Sequence, residues 1–241
     1  MPQLTPLVAS QGIFVADDFT MQIAQVVPCT EAEGPGKRFA LWFQGCPLRC
    51  PGCCNPEFLA FKGGTTKTLR EMTEWIAKTK EESGVEGITL LGGEPTAHAT
   101  AALALAKASR ELGLSVMVFS GFTIEELREK AETDVVELIA TTDILVDGPY
   151  LRDEPDTERR WIGSRNQRIH FLTPRYSYDE QWRTRNTLEI RVVGREISIN
   201  GFPAAGAVGL WKGWKRKKPV PLPLTTDVAE TKSAAQGTDT K

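Results

Sequence analysis

Three short apolar segments, each ended by a turn that contains glycine or serine, constrain the fold more than any other feature. The segments are GITLLGG from residue 87, LSVMVF from residue 114 and DILVDGP from residue 143. Helical patterns separate them, namely an Ala/Leu-rich stretch over 96–112 and a capping box formed by Thr123 and Glu126. This alternation predicts βα units and a parallel sheet, which we place within residues 20–170.

A fourth apolar run, FALWFQ at residues 39–44, lies upstream and ends at Gly45, so it is typical of a buried strand. A helix is predicted to begin at Thr68, where T-L-R-E is a capping box and apolar residues repeat at helical spacing. The loop between this strand and this helix contains four of the five cysteines.

The composition is that of an ordinary soluble domain, with 41% hydrophobic and 25% charged residues and a formal net charge of -2. This balance makes nucleic acid an improbable partner. No apolar run approaches the roughly 20 residues that a membrane span needs, and the N-terminus does not resemble a secretory signal. We therefore expect a cytoplasmic protein without a membrane partner, in which a cysteine cluster indicates metal or redox chemistry.

The clustered cysteines include Cys46, Cys50 and Cys53, which form a C-x-x-x-C-x-x-C run. Three thiolates at this spacing can hold three irons of a cubane and leave the fourth iron for a substrate or cofactor. The alternatives are a structural zinc knuckle and unrelated buried cysteines. A closed zinc site needs a fourth Cys or His at matching spacing, and the two histidines, His98 and His170, are isolated.

The turns after the other strands carry groups suited to ligand binding. GGEP at 92–95 allows close backbone approach, and the strand end offers unpaired amides and carbonyls for an amino acid's charged groups. The next strands end in Ser120-Gly121 and in DGP at 147–149. Because ligands collect at the carboxyl ends of parallel strands, these motifs predict one site at one edge of the sheet.

The cysteine run followed by GGEP resembles the radical S-adenosylmethionine superfamily. More narrowly, the chain resembles the activating proteins of glycyl radical enzymes, and in particular those of anaerobic ribonucleotide reductase. The segments that carry this resemblance are EAEGPGKRFALWFQGCPLRCPGCCNPEF, LLGGEP, VFSGFTIEEL and ILVDGPYLRDEPDTERRWIGSRNQRIHFL. The resemblance covers about residues 21–172, and its DGP and GSRNQ blocks are specific to the activase branch.

This resemblance implies an α/β fold, a partial (β/α) barrel of parallel strands with a [4Fe–4S] cluster and S-adenosylmethionine at its open mouth. It implies that Cys46, Cys50 and Cys53 are the cluster ligands. Gly92, Gly93 and Glu94 would lie along the methionine moiety of S-adenosylmethionine. Candidates for its nucleoside or carboxylate contacts are Ser120 and the backbone of Gly52 to Cys54. Cys54 stands where many relatives carry Tyr or His.

The resemblance also implies a mechanism. An external donor such as flavodoxin or ferredoxin would supply the electron that cleaves S-adenosylmethionine into methionine and a 5′-deoxyadenosyl radical. On the first hypothesis this radical takes a hydrogen atom from a glycine of a partner, a class III ribonucleotide reductase. On the second, a stand-alone radical enzyme modifies a peptide or small molecule. On the third, the chain is a non-catalytic iron–sulfur carrier or sensor, in which GGEP and DGP would have no ligand.

We expect four segments along the chain. Residues 1–20 form an N-terminal extension, 21–172 the partial barrel, and 173–202 a C-terminal extension with a β-hairpin. Residues 203–241 form a disordered basic and proline-rich tail, whose WKGWKRKK run we interpret as solubilising rather than as a binding patch. The mechanism needs no general acid or base, so His98 and His170 are interpreted as a first-turn helix residue and a half-buried strand residue. Cys29 is interpreted as a small buried residue.

Overall fold

The structure, a computed structural model, describes residues 16–193 and 196–202. Its strands are β1 (Thr20–Thr30), β2 (Arg38–Phe43), β3 (Thr65–Thr68), β4 (Gly87–Gly92), β5 (Ser115–Phe119), β6 (Ile144–Asp147), β7 (Arg168–Phe171), β8 (Leu188–Val193) and β9 (Glu196–Gly201). Its α-helices are α1 (Leu69–Ser83), α2 (Ala99–Glu111), α3 (Ile124–Lys130) and α4 (Thr133–Thr141). Short 3₁₀ turns occupy Pro56–Phe58, Pro95–His98 and Glu180–Arg183.

Seven strands form one mixed sheet in the order β3-β1-β2-β4-β5-β6-β7. The four central strands, β2, β4, β5 and β6, are parallel, which confirms the predicted centre of the sheet. The outer strands are antiparallel to their neighbours. Residues 31–37 are too few for a crossover connection, so β1 and β2 pair antiparallel. The strands described here form an α/β fold around an open sheet, because β3 and β7 are its two edges.

Both predicted capping boxes are present. The Thr68 hydroxyl accepts from the Glu71 amide at the start of α1, and Thr123 accepts from Glu126 in the same way at the start of α3. The predicted helix over 96–112 begins as a 3₁₀ turn, and α2 starts at Ala99. Proline at the first position of that turn donates no backbone hydrogen bond, which is compatible with a helix start.

Successive side chains of each strand point to opposite faces of the sheet, so apolar residues pack into a core on both faces. On one face, Phe39 and Leu41 of β2 pack with the apolar sides of the helices. On the other, Met117 of β5 packs with Trp161 and Trp182, whose ring centroids lie 4.8 Å apart in an edge-to-face arrangement. The chain after β6 therefore covers this second face at β5 and β6, whereas Phe58 packs on the same face at β2.

The predicted C-terminal hairpin is formed by β8 and β9, which pair antiparallel. Its last residues pack against the β1–β2 loop, where the Gly201 amide donates to Glu33 at 2.6 Å and Asn200 donates to Thr30 at 3.0 Å. The predicted disordered tail, 203–241, and residues 1–15 lie outside the described part of the chain. Among the described helices, none combines the length and apolarity required to traverse a bilayer.

Candidate iron–sulfur site

The cysteine loop begins where β2 ends, and hydrogen bonds close it at its base. The Gly45 amide donates to the Phe58 carbonyl at 2.8 Å, and the Cys46 amide donates to the Leu59 carbonyl at 3.1 Å. The Gln44 side chain donates to the Ala60 carbonyl at 2.6 Å. These bonds fix both ends of the loop to one point at the carboxyl edge of the sheet.

The three thiols of the run lie in a partly buried, amide-rich environment. Cys46 is buried, and Cys50 and Cys53 are half-buried. Burial raises the pKa of the Cys46 and Cys53 thiols. Backbone amides oppose that shift, and one of them, that of Asn55, donates to the Cys53 sulfur at 3.4 Å. Hydrogen bonds to sulfur are a feature of cluster-binding cysteines, so these residues fit a [4Fe–4S] cluster.

Within the described ranges, no three His, Cys, Asp or Glu side chains are grouped so as to hold a single metal ion. A cubane does not require such a grouping, because each thiolate binds a different iron. Cys54 follows the run and is exposed. Cys29 is half-buried on β1. Its neighbour Thr30 pairs with Arg38, the first residue of β2, so Cys29 lies at the opposite end of β2 from the cysteine loop.

The two glycines of GGEP bring the ends of β2 and β4 together. A β-carbon on Gly93 would overlap the carbonyl oxygen of Gly45, and one on Gly92, whose φ is +114°, would lie 2.6 Å from the Trp42 α-carbon. The Gly93 amide donates to the Phe43 carbonyl at 2.8 Å. Sequence reasoning expected close backbone approach at these glycines, and the structure shows that the approaching backbone is that of β2.

The Glu94 carboxylate joins the end of β4 to the end of β5. It is buried and accepts four hydrogen bonds, from the amide and hydroxyl of Thr96, the hydroxyl of Ser120 and the amide of Gly121, at 2.8–3.0 Å. Burial raises the pKa of Glu94, and these four donors oppose the shift. The structure thus brings Glu94 and Ser120 into direct contact, although 26 residues separate them in the chain.

The buried carboxylate of Asp147 organises the end of β6. It accepts from the Ile124 amide at 2.7 Å and from Arg168 Nε at 3.1 Å, and it lies 3.1 Å from His170 Nε2. Burial would raise the pKa of Asp147, but the hydrogen bonds from Arg168 and Ile124 lower it below its usual range. His170 is a half-buried residue of β7, as predicted.

His98 lies at the start of α2, as predicted, and its ring supports the base of the cysteine loop. It stacks on Phe43 with 5.3 Å between ring centroids, and Nε2 lies 3.4 Å from the Gly45 carbonyl oxygen. Burial lowers the pKa of His98. Sequence reasoning missed two further residues at this edge, Tyr150 and Arg152, and its only signal for them was the DGP turn that precedes them.

Residues 32–170 match the family model of a 4Fe–4S single cluster domain. The cysteine loop and the sheet that carries it therefore define an iron–sulfur protein of the single-cluster class. The anaerobic ribonucleoside-triphosphate reductase-activating protein of Salmonella typhimurium is 33% identical over 158 residues, which are 63% of this chain and 99% of that protein. Its counterpart from Escherichia coli K12 is 31% identical over 159 residues, with the same coverage.

The protein of the same name from Enterobacteria phage T4 is 28% identical over 153 residues, 62% of this chain and 93% of its own. The chain belongs to the family of anaerobic ribonucleoside-triphosphate reductase-activating proteins, which confirms the resemblance drawn from its motifs. A solved structure of QueE from Escherichia coli aligns with 43% of this chain and 54% of its own, at 17% identity and a TM-score of 0.36.

Proposed function

We propose that this protein generates a glycyl radical on an anaerobic, class III ribonucleotide reductase by reductive cleavage of S-adenosylmethionine. The observation that carries the proposal is the loop of three partly buried thiols, fixed at the edge of the sheet where the parallel strands β2, β4, β5 and β6 end. Proteins that match this chain over nearly their whole length are named for activating such a reductase.

Cys46, Cys50 and Cys53 would hold the [4Fe–4S] cluster. When bound, the cluster supplies the electron that converts S-adenosylmethionine into methionine and a 5′-deoxyadenosyl radical. We assign the S-adenosylmethionine site to this edge of the sheet, with Gly52, Cys54, Gly92, Gly93, Glu94 and Ser120 as the residues that form it. The side-chain oxygens of Glu94 and Ser120 are engaged with each other, so these residues act by holding β4 and β5 in register.

The cluster would itself be reduced by an external donor such as flavodoxin or ferredoxin, because the described cysteines provide one loop suited to a cluster. We infer that the sheet curves as a partial barrel, with its helix-free face turned toward the cofactors. Trp161 and Trp182 fill that face beside β5 and β6. Their packing would exclude water from beneath the site, which protects a radical from side reactions.

The first test is the cluster. Anaerobic reconstitution should give about one [4Fe–4S] cluster per chain, because one loop carries the ligand spacing. Replacing Cys46, Cys50 or Cys53 by Ser should abolish it, as measured by iron and sulfide content. The matched controls, Cys29→Ala and Cys54→Ala, should retain it. Iron that survives the loss of Cys50 would refute the ligand assignment.

The second test is the radical. With a reductant and S-adenosylmethionine, the loaded protein should produce a glycyl radical on added class III reductase from the same cell, detected by electron paramagnetic resonance. The amount of 5′-deoxyadenosine formed should follow the radical signal. A reductase whose radical-bearing glycine is replaced by alanine should give no signal. If the reductase stays radical-free while a peptide or metabolite is turned over, the stand-alone enzyme is the correct reading.

A further inference from the structure

The segment that follows β6 turns back over the edge of the sheet that holds the cysteine loop. Side chains of the GSRNQ block fix its path. Asn166 donates to the Pro149 carbonyl at 2.7 Å, Gln167 donates to the Gly148 carbonyl at 3.2 Å, and the Ser164 hydroxyl accepts from the Leu151 amide at 3.1 Å. The backbone that leads to the side chains facing the cysteine loop is therefore held in place by the fold.

One of these residues is Arg152, whose guanidinium lies against Gly52. A β-carbon on Gly52 would overlap Nε of Arg152 and would lie 2.7 Å from its Nη2, so the absence of a side chain at Gly52 lets the guanidinium lie against the loop backbone. Gly52 also has a φ of +77°, which favours glycine. Because it stands between Cys50 and Cys53, the guanidinium is placed directly on the part of the loop that connects two thiols.

Arg152 is exposed, and among the described residues no hydrogen bond or ion pair draws its guanidinium away from Gly52. By contrast, the nearby Arg159 donates to Asp156 and to two backbone carbonyls. Burial raises the pKa of the neighbouring Tyr150, and the charges of Cys54, Arg152, Cys53 and Asp153 all act on it, so Tyr150 lies close to both the cation and the thiols. The turn after β6 thus places a cation beside the cysteine loop.

We propose that Arg152 supplies a fixed positive charge that favours the reduced form of the bound cluster. This inference rests on the proposed function. Reduction adds one negative charge to the cluster, and a nearby cation stabilises the more negative form. Arginine suits this role because its guanidinium stays protonated at every physiological pH. Arg152 acts through the cluster rather than on the substrate, so it is a positioning residue that sets a potential.

The experiment is a redox titration of the cluster-loaded protein, followed by electron paramagnetic resonance. Arg152→Gln should lower the equilibrium constant for cluster reduction about three- to tenfold, which is a shift of about 30–60 mV to more negative potential. Arg152→Lys keeps the charge and should stay close to the wild-type potential. Arg183→Gln removes the same charge from a guanidinium that lies over Tyr178, and it should leave the potential unchanged.

The outcomes separate this inference from the proposed function. Absence of a cluster in the wild-type protein would overturn both. A wild-type cluster whose potential is unchanged by Arg152→Gln would overturn only the inference. So would an equal shift in Arg152→Lys, because charge would then not be the cause. Loss of the cluster in both Arg152 variants would show that the loop needs the guanidinium for packing on Gly52, and would also overturn it.

Discussion

Replacing Glu33 by glutamine should make the protein more stable at neutral and alkaline pH. Glu33 is 2% exposed and lies where the β1–β2 loop meets the end of β9. Its Oε1 accepts from the Gly201 amide at 2.6 Å and from Asn200 Nδ2 at 3.4 Å. Burial raises the pKa of Glu33 from 4.5 to about 8, and these two hydrogen bonds offset only part of that rise.

The sign of the effect follows from this raised pKa. Between pH 4.5 and about 8 the folded protein retains a proton on Glu33 that the unfolded chain has released. Stability therefore falls as pH rises through this window, by about 1.4 kcal/mol per pH unit. Glutamine resembles the protonated acid, since it accepts at one position and carries hydrogen at the other, and it does not ionise. The free energy of unfolding of Glu33→Gln should therefore not fall over this pH range for this reason.

The assay is urea unfolding of the cluster-loaded protein at a series of pH values under nitrogen. The stability of Glu33→Gln relative to wild type should increase by about 3 kcal/mol between about pH 5 and pH 8. Glu125→Gln is the control, because hydrogen bonding to Arg168 lowers the pKa of the exposed Glu125 to about 2, and its effect should stay constant over this range. A constant difference between wild type and Glu33→Gln would refute the reasoning.

Two further predictions concern the contacts between the ends of neighbouring strands. Gly93→Ala should impair cluster assembly and destabilise the fold by about 2–4 kcal/mol, because the added carbon overlaps the Gly45 backbone. An unaltered iron content and an unaltered urea midpoint would contradict this prediction. Glu94→Gln should cost about 2 kcal/mol, since its amide group must meet one of the donors that now face the carboxylate. Thermal unfolding measures this cost, and Glu74→Gln, at an exposed carboxylate on α1, is its matched control.

Local sequence patterns predicted α1, α2, α3, the central strands and the cysteine loop, but they missed α4, whose N-cap residue Glu132 makes no side-chain capping hydrogen bond. The capping boxes at Thr68 and Thr123 work over three residues, so their spacing in the chain is sufficient to locate the start of a helix. The ligand spacing of the cysteines is likewise local. Strand β1 was missed because two irregularities, between Ile23 and Gln25 and between Val27 and Thr30, interrupt the alternation by which a strand is recognised.

The sequence by itself therefore determined which residues could form a site and on which strand ends they stand. Only the tertiary structure decided what those residues touch. Glu94 bonds Ser120 because β4 and β5 are neighbours, and Gly201 reaches Glu33 across 168 residues of chain. The contact of Arg152 with Gly52 joins two loops in the same way. Such contacts depend on strand order and packing, which arise from the whole chain and leave no periodic signal in any segment of it.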